Sequence, residues 1–201
     1  MAATGVTPNS ISITGMFVAC GAGVCLALTG RENASERALF LLAALGIQVR
    51  LLANMLDGMV AIEGNRKSPT GDLYNEVPDR ISDSVVLIGA GYALTSSPTL
   101  GYLAAAGALF VTYVRALGRS LGLPSDFRGP MAKQQRMFLA TVGSVYLGFA
   151  PEAWRFVTPA RGPVPELGVL ALVLVLICVG EVATAWRRIA SIASQLRSRA
   201  E

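Results

Sequence analysis

Between Asn54 and Asp79 the chain reads NMLDGMVAIEGNRKSPTGDLYNEVPD, a polar stretch inside an otherwise apolar protein. Side-chain oxygens recur in it at helical spacing. Asn54, Asp57 and Ala61 are three and four residues apart, which puts them on one face at the end of one helix. Asn75, Asp79 and Asp83 are each four apart and share a face at the start of the next. Two such faces meeting in a bundle converge oxygen ligands on one volume, the kind of site that Mg²⁺ or Mn²⁺ takes. The connection EGNRKSPTG is built of small residues, so a ligand can approach its backbone, and Arg66 and Lys67 give it anion affinity. The same spacing also suits a hydrogen-bonded network that locks two helices, and spacing alone leaves both arrangements open. The chain has no histidine, so proton transfer or metal binding must use carboxylates.

A second polar segment, YVRALGRSLGLPSDFRGPMAKQQR, runs from Tyr113 to Arg136. Arg115 and Arg119 are four apart on one helical face, and Lys133 and Arg136 are three apart at the start of another. With Arg128 they make an anion pocket facing the carboxylates, suited to an acceptor that carries a phosphate. Anchoring to lipid headgroups is the competing reading of the same charges.

Oil must hold these groups in place. Of 201 residues, 53% are hydrophobic and 15% charged, with mean hydropathy +0.53, where a soluble domain carries about a quarter charged residues. The apolar residues fall in long runs, so the expected fold is an all-α integral membrane protein, a six-transmembrane-helix bundle forming one domain over 1–201. The expected spans are Ser10–Thr29, Ala38–Leu56, Asp79–Thr95, Leu100–Leu117, the short Met137–Ala150, and Leu167–Trp186, the last containing Glu181. TPNSIS before the first span supplies capping residues, and the absence of a basic leader argues against a cleaved signal. With the N-terminus in the cytoplasm, the cytoplasmic segments carry twelve Lys and Arg against four opposite, so both termini are expected to be cytoplasmic. That places both polar segments at the cytoplasmic face of the inner membrane. The basic tail 186–201, WRRIASIASQLRSR at its core, is expected either to lie along anionic headgroups or simply to anchor the last span. Cys20, Cys25 and Cys178 sit in apolar runs and are read as core residues. No nucleic-acid partner is expected.

At this point the polar stretch resembles the CDP-alcohol phosphatidyltransferases, whose motif is D-x2-D-G-x2-A-R-x8-G-x3-D-x3-D. The spacing here matches without a gap, with Asp57, Gly58, Ala61, Gly71 and Asp79 identical, and the six-span layout matches as well. The resemblance implies transfer of a phosphatidyl-type group from a CDP-linked lipid to an alcohol, with release of CMP. It implies Mg²⁺ or Mn²⁺ held by Asn54, Asp57, Asn75 and Asp79, with Asp79 also the base that accepts the acceptor proton. It places Gly58, Ala61 and Gly71 against the cytidine nucleotide, Arg115, Arg119, Lys133 and Arg136 against the acceptor, and the bilayer around a protein that is often a homodimer. The chain departs from the motif at Asn54 and Asn75, where the family has Asp, and at Ile62, where it has Arg. Glu76, Asp72 or Asp83 are placed to make up the lost charge, Asp83 best because it lies one turn beyond Asp79. A two-metal enzyme with amide ligands, a one-metal enzyme and an inactive relative that binds CDP-lipid all remain open. A small membrane transporter is a rival of another class, disfavoured because the polar groups cluster at one end of the helices.

Overall fold

The structure, a computed structural model, describes residues 7–30, 35–63, 70–158 and 167–200. Arg66 and Lys67 lie outside these residues, and the side chains of Ala61 and Asp72 are likewise not described. Six helices dominate: α1 (Pro8–Leu28), α2 (Glu36–Glu63), α3 (Gly71–Tyr92), α4 (Pro98–Ser120), α5 (Lys133–Phe149) and α6 (Val169–Ala200). Two of them open on clear start signals. Thr7 caps α1 by accepting a hydrogen bond from the Ser10 backbone N–H at 3.2 Å, and proline stands in the first turn of α1 and of α4.

Helix α1 packs on α2 and α3, α3 on α4, α2 on α5, and α4 on α6, with α5 touching α6. Small residues let the backbones approach, as in membrane bundles where packing rather than water exclusion drives association. At the α1–α3 crossing, a Cβ on Gly23 would come within 2.6 Å of the Val85 carbonyl oxygen. At the α3–α4 crossing, one on Gly91 would come within 2.8 Å of the Gly101 Cα. The core between them is apolar and mostly aliphatic, with Leu26, Phe40, Ile47, Leu87, Leu174 and Ile177 fully buried. Large apolar side chains such as Phe17, Leu45, Phe138, Val179 and Val182 point outward instead, a surface that suits lipid and not water.

Helices α1, α2, α4 and α6 are long and apolar enough to cross a membrane. The other two of the expected spans fall short of that measure for visible reasons. Helix α5 has 17 residues, and α3 carries Asp79, Arg80 and Asp83 within its length.

Three features differ from the sequence expectation. The polar stretch is helical well beyond the expected spans, because α2 runs on to Glu63 and α3 begins at Gly71. The basic tail is no separate helix but the continuation of α6, since no glycine or proline interrupts it after Gly180. It is fastened from the side: the Arg188 guanidinium donates to the carbonyls of Arg128 and Val111, and that of Arg199 to Gly122. Between α5 and α6 lies a 3₁₀ turn (Glu152–Trp154) and a small antiparallel pair, β1 (Phe156–Thr158) with β2 (Leu167–Gly168). Buried Arg155 ties this pair to the start of α2 by donating to Glu36 at 2.6 Å.

Candidate active site

Asp79 is the meeting point of three helices. It sits on the first half of α3, just after Pro78, and is buried. Its Oδ1 accepts from Arg50 Nη2 at 2.6 Å and from Asn54 Nδ2 at 2.8 Å, both on α2. Lys133, the first residue of α5, donates to the same oxygen at 2.5 Å. The other oxygen, Oδ2, faces Arg80 at 3.7 Å. Arg50 is itself buried and reaches α1 by donating to the Ser12 carbonyl at 3.0 Å. The Ser12 hydroxyl donates to Asp57, which is also buried. One polar cluster therefore joins α1, α2, α3 and α5 at the ends where the sequence placed its motif.

The helical spacing explains the grouping on α2. Arg50, Asn54 and Asp57 stand at successive turns, and all turn inward. Arg50 is a site residue that the motif does not include, though its four-residue step to Asn54 carries the signal. Gly58 and Gly71 both border open space, with nothing within 4 Å of where a Cβ would stand. Asn75 is exposed, outside the contacts described for Asp79. Glu76 pairs with Arg115 at 2.9 Å and with Arg80 at 3.3 Å.

Asp83 lies elsewhere. It accepts from Arg136 Nη2 at 3.0 Å, and the Arg136 Nε faces Glu181 Oε1 at 3.5 Å. All three are buried, so α3, α5 and α6 share an ionic triad in the core. The sequence expectation makes Asp83 an extra metal ligand and Arg136 an acceptor contact; here the two bind each other, and Arg136 also lines the cavity beside Asp79.

Beside Asp79 the structure holds a cavity of about 100 Å³ lined by Arg80, Arg115, Lys133, Arg136, Arg188 and Thr112, among others. Five cationic side chains border this one small volume, a lining whose charge suits an anion. Arg115, Lys133 and Arg136 belong to the expected acceptor set; Arg119 does not line the cavity and is exposed near the end of α4. Arg80 and Arg188 were missed as lining residues, because the sequence offered them only as part of the positive charge bias. The 121–132 connection covers this region. Within it, burial works to raise the Asp126 carboxyl, but hydrogen bonds from the Arg128 backbone and side chain and from Ser191 outweigh it and hold the group below the ordinary carboxylate value.

Asn54 and Asp57 offer donors that suit a hard divalent cation. The Asn54 Oδ1 is buried without a hydrogen-bond partner, one turn from the Asp57 carboxylate, and these are oxygen donors of the right kind. Asp79, by contrast, already faces two cations and an amide N–H through one oxygen. Among the described residues no three His, Cys, Asp or Glu side chains gather as a metal group.

No protein-family model matches the chain. It is 31% identical over 144 residues to the archaetidylinositol phosphate synthase of Methanothermobacter thermautotrophicus, covering 72% of this chain and 68% of that protein. It is 25% identical over 147 residues to inner membrane protein YnbA of Escherichia coli, covering 73% and 71%. In fold it resembles the phosphatidylinositol phosphate synthase of Mycobacterium tuberculosis, with TM-score 0.72 at 21% identity over 94% of this chain. That protein has been solved with manganese and citrate (83% of its chain covered) and with CDP-DAG bound (87% covered).

Proposed function

This chain belongs to the CDP-alcohol phosphatidyltransferase family, and we propose that it transfers a phosphatidyl-type group from a CDP-linked lipid to an alcohol, releasing CMP. The observation that carries the proposal is the position of Asp79, held beside Asn54 and Asp57 on one side and the five-cation cavity on the other. In this reaction the acceptor hydroxyl oxygen bonds to the β-phosphorus of the CDP-lipid. The bond from that phosphorus to the bridging oxygen breaks, and CMP departs with the oxygen. Asp79 Oδ2 takes the hydroxyl proton, while Oδ1 stays fixed by Arg50, Asn54 and Lys133 so that the carboxylate keeps its aim. Asn54 and Asp57 would hold a Mg²⁺ or Mn²⁺, which offsets pyrophosphate charge when bound. Open space at Gly58 and Gly71 suits the close approach of a nucleotide to backbone.

The cavity favours an acceptor that carries a phosphate, a polyol phosphate of the inositol phosphate kind, and the names of the relatives support the same class. Arg115 and Lys133, with Arg80 and Arg188, hold that phosphate; Arg136 orders the wall behind them. The protein is one domain with six helices in the inner membrane and both termini in the cytoplasm. The site faces the cytoplasm, at the level where a lipid headgroup and a soluble acceptor meet. A homodimer through exposed helix faces belongs to the same proposal.

The test is CMP release by the purified protein from CDP-diacylglycerol with Mn²⁺ or Mg²⁺. Glycerol phosphate, inositol, inositol phosphate and serine are offered separately, beside an Asp79→Ala control. Release with a phosphorylated acceptor, absent in the control, is the expected result. A second reading, a CDP-lipid-binding protein without turnover, draws on the two cations already committed to Asp79. Metal-independent binding of CDP-diacylglycerol with no CMP from any acceptor would establish it.

A further inference from the structure

We propose that this site takes one divalent cation where the family motif provides for two, and that the buried guanidinium of Arg50 stands in the place of the second. The inference rests on the family reading above and concerns how this chain departs from it.

Three observations on different residues point the same way. The first is charge. Asn54 and Asn75 stand where the motif has Asp, so the site lacks two negative charges, the amount that one divalent cation neutralises. Cation affinity in oxygen sites falls as carboxylates are removed. The second is the direction of Asn54. An aspartate there would share a cation with Asp79 across the α2–α3 gap. The asparagine instead turns its N–H toward Asp79 Oδ1 at 2.8 Å, a direct hydrogen bond that needs no metal between them. The third is Arg50, one turn before Asn54. Its Nη2 reaches the same Oδ1 at 2.6 Å, and Nη1 is fixed by the Ser12 carbonyl at 3.0 Å. The Arg50 side chain is only 4% exposed, so this is a built-in charge and not a surface contact. A guanidinium spreads its charge over a planar fork and stays protonated, which lets it hold a carboxylate permanently.

What remains for a metal is the opposite edge of Asn54. Its Oδ1 is buried and without a partner, and Asp57 stands one turn on, accepting from Ser12 through one oxygen. One amide oxygen and one carboxylate oxygen would supply part of an octahedral shell, which substrate phosphate oxygens and water would complete, as is usual for Mg²⁺. Arg50 fixes Asp79 and balances its charge, so it is a positioning residue and not a ligand.

Metal stoichiometry tests this without any reliance on turnover. Mn²⁺ is titrated into the purified full chain in detergent, followed by the loss of the free Mn²⁺ electron paramagnetic resonance signal, alone and with CDP-diacylglycerol. One Mn²⁺ per chain is expected for the wild type and for Arg50→Lys, which keeps the charge. Restoring the carboxylates with Asn54→Asp and Asn75→Asp is expected to leave one, because Arg50 still occupies the second position. Adding Arg50→Leu to that pair is expected to raise the count to two. Two Mn²⁺ per chain in the wild type, or in the restored pair with Arg50 present, overturns the proposal, and so does none in the wild type. The wild-type count decides even where a variant does not fold. Absence of CMP release beside a count of one would sink the catalytic reading and leave this one standing.

Discussion

Removing the Arg136 guanidinium is expected to cost more stability than any single surface change, and its size follows from the burial of its partners. Arg136 is 1% exposed and donates to Asp83 at 3.0 Å and to the Met131 carbonyl at 3.2 Å, with Glu181 at 3.5 Å from its Nε. Asp83 and Glu181 are each 2% exposed. Arg136→Met therefore strands two carboxylates in the core between α3, α5 and α6. Breaking a buried ion pair on one side typically costs about 3–5 kcal/mol. For a chain of this size each kcal/mol lowers Tm by about 2–4 °C, so a fall of roughly 6–20 °C is expected. The assay is thermal unfolding of the detergent-solubilised protein at one fixed scan rate, since membrane proteins seldom refold. A companion variant removes the whole triad, Arg136→Met with Asp83→Leu and Glu181→Leu. Replacing all members of such a network with apolar residues is often neutral or stabilising by about 1–4 kcal/mol. The companion is therefore expected to recover most of the lost Tm. If Arg136→Met unfolds at the wild-type temperature, or the companion falls further than the single change, the triad does not hold the helices as argued.

Two further outcomes test the surroundings of the site. Arg115→Gln, which removes a cation from the cavity, is expected to raise KM for a phosphorylated acceptor by about tenfold to a hundredfold, the equivalent of about 1.5–3 kcal/mol for a hydrogen bond to a charged group. Arg119→Gln, outside the cavity, is expected to leave that KM unchanged, and initial-rate measurements with varied acceptor distinguish the two. Asp126 has a folded pKa below its ordinary value of 3.8, so its ionised form stabilises the 121–132 connection at neutral pH, and this contribution is lost as pH falls below the ordinary value toward the folded one. The Tm difference between wild type and Asp126→Asn is accordingly expected to hold steady above about pH 5 and to shrink in acid, about a pH unit above the unfolded value being enough to ionise the group fully.

The motif was legible because its spacing is a helical property. Residues three and four apart share a face whatever the rest of the chain does, so Asn54 with Asp57, and Asp79 with Asp83, could be placed on their helix faces in advance. Four of the expected spans, now α1, α2, α4 and α6, were legible for the reason that membranes impose: apolar runs of sufficient length have few alternatives. The ends of α2 and α3 were not, because hydropathy marks where a helix leaves lipid and not where it stops being a helix. The contacts of the tail were not legible for a related reason. Its arginines read as a charge bias, while Arg188 is in fact seven residues from Glu181 on the inner side of α6, bonded to carbonyls of two other segments. Partners far apart in sequence were illegible altogether. Asp83 and Arg136 are separated by 53 positions, and nothing local in the chain assigns one to the other.

The residues proposed for chemistry are also the ones that hold the helices together, and that constrains how the site can be probed. Asp79 is bound from α2 by Arg50 and Asn54 and from α5 by Lys133, while Arg50 carries the connection on to Ser12 of α1. Asp79→Ala removes a proton acceptor, but it also leaves two cations unpaired, one of them nearly inaccessible to solvent. Loss of CMP release in that variant has two causes that activity alone does not separate. Asp79→Asn separates them: an amide oxygen still accepts from Arg50, so much of the packing is retained, while its capacity to take a proton is gone. If Asp79 is the base, Asp79→Asn keeps a Tm closer to wild type than Asp79→Ala does, yet is equally inactive. If Asp79 serves only to join the helices, activity follows Tm through the series. Three helices meeting at one carboxylate, with a fourth tied on through Arg50, thus make stability and function inseparable by deletion, and separable by an isosteric change of a single atom.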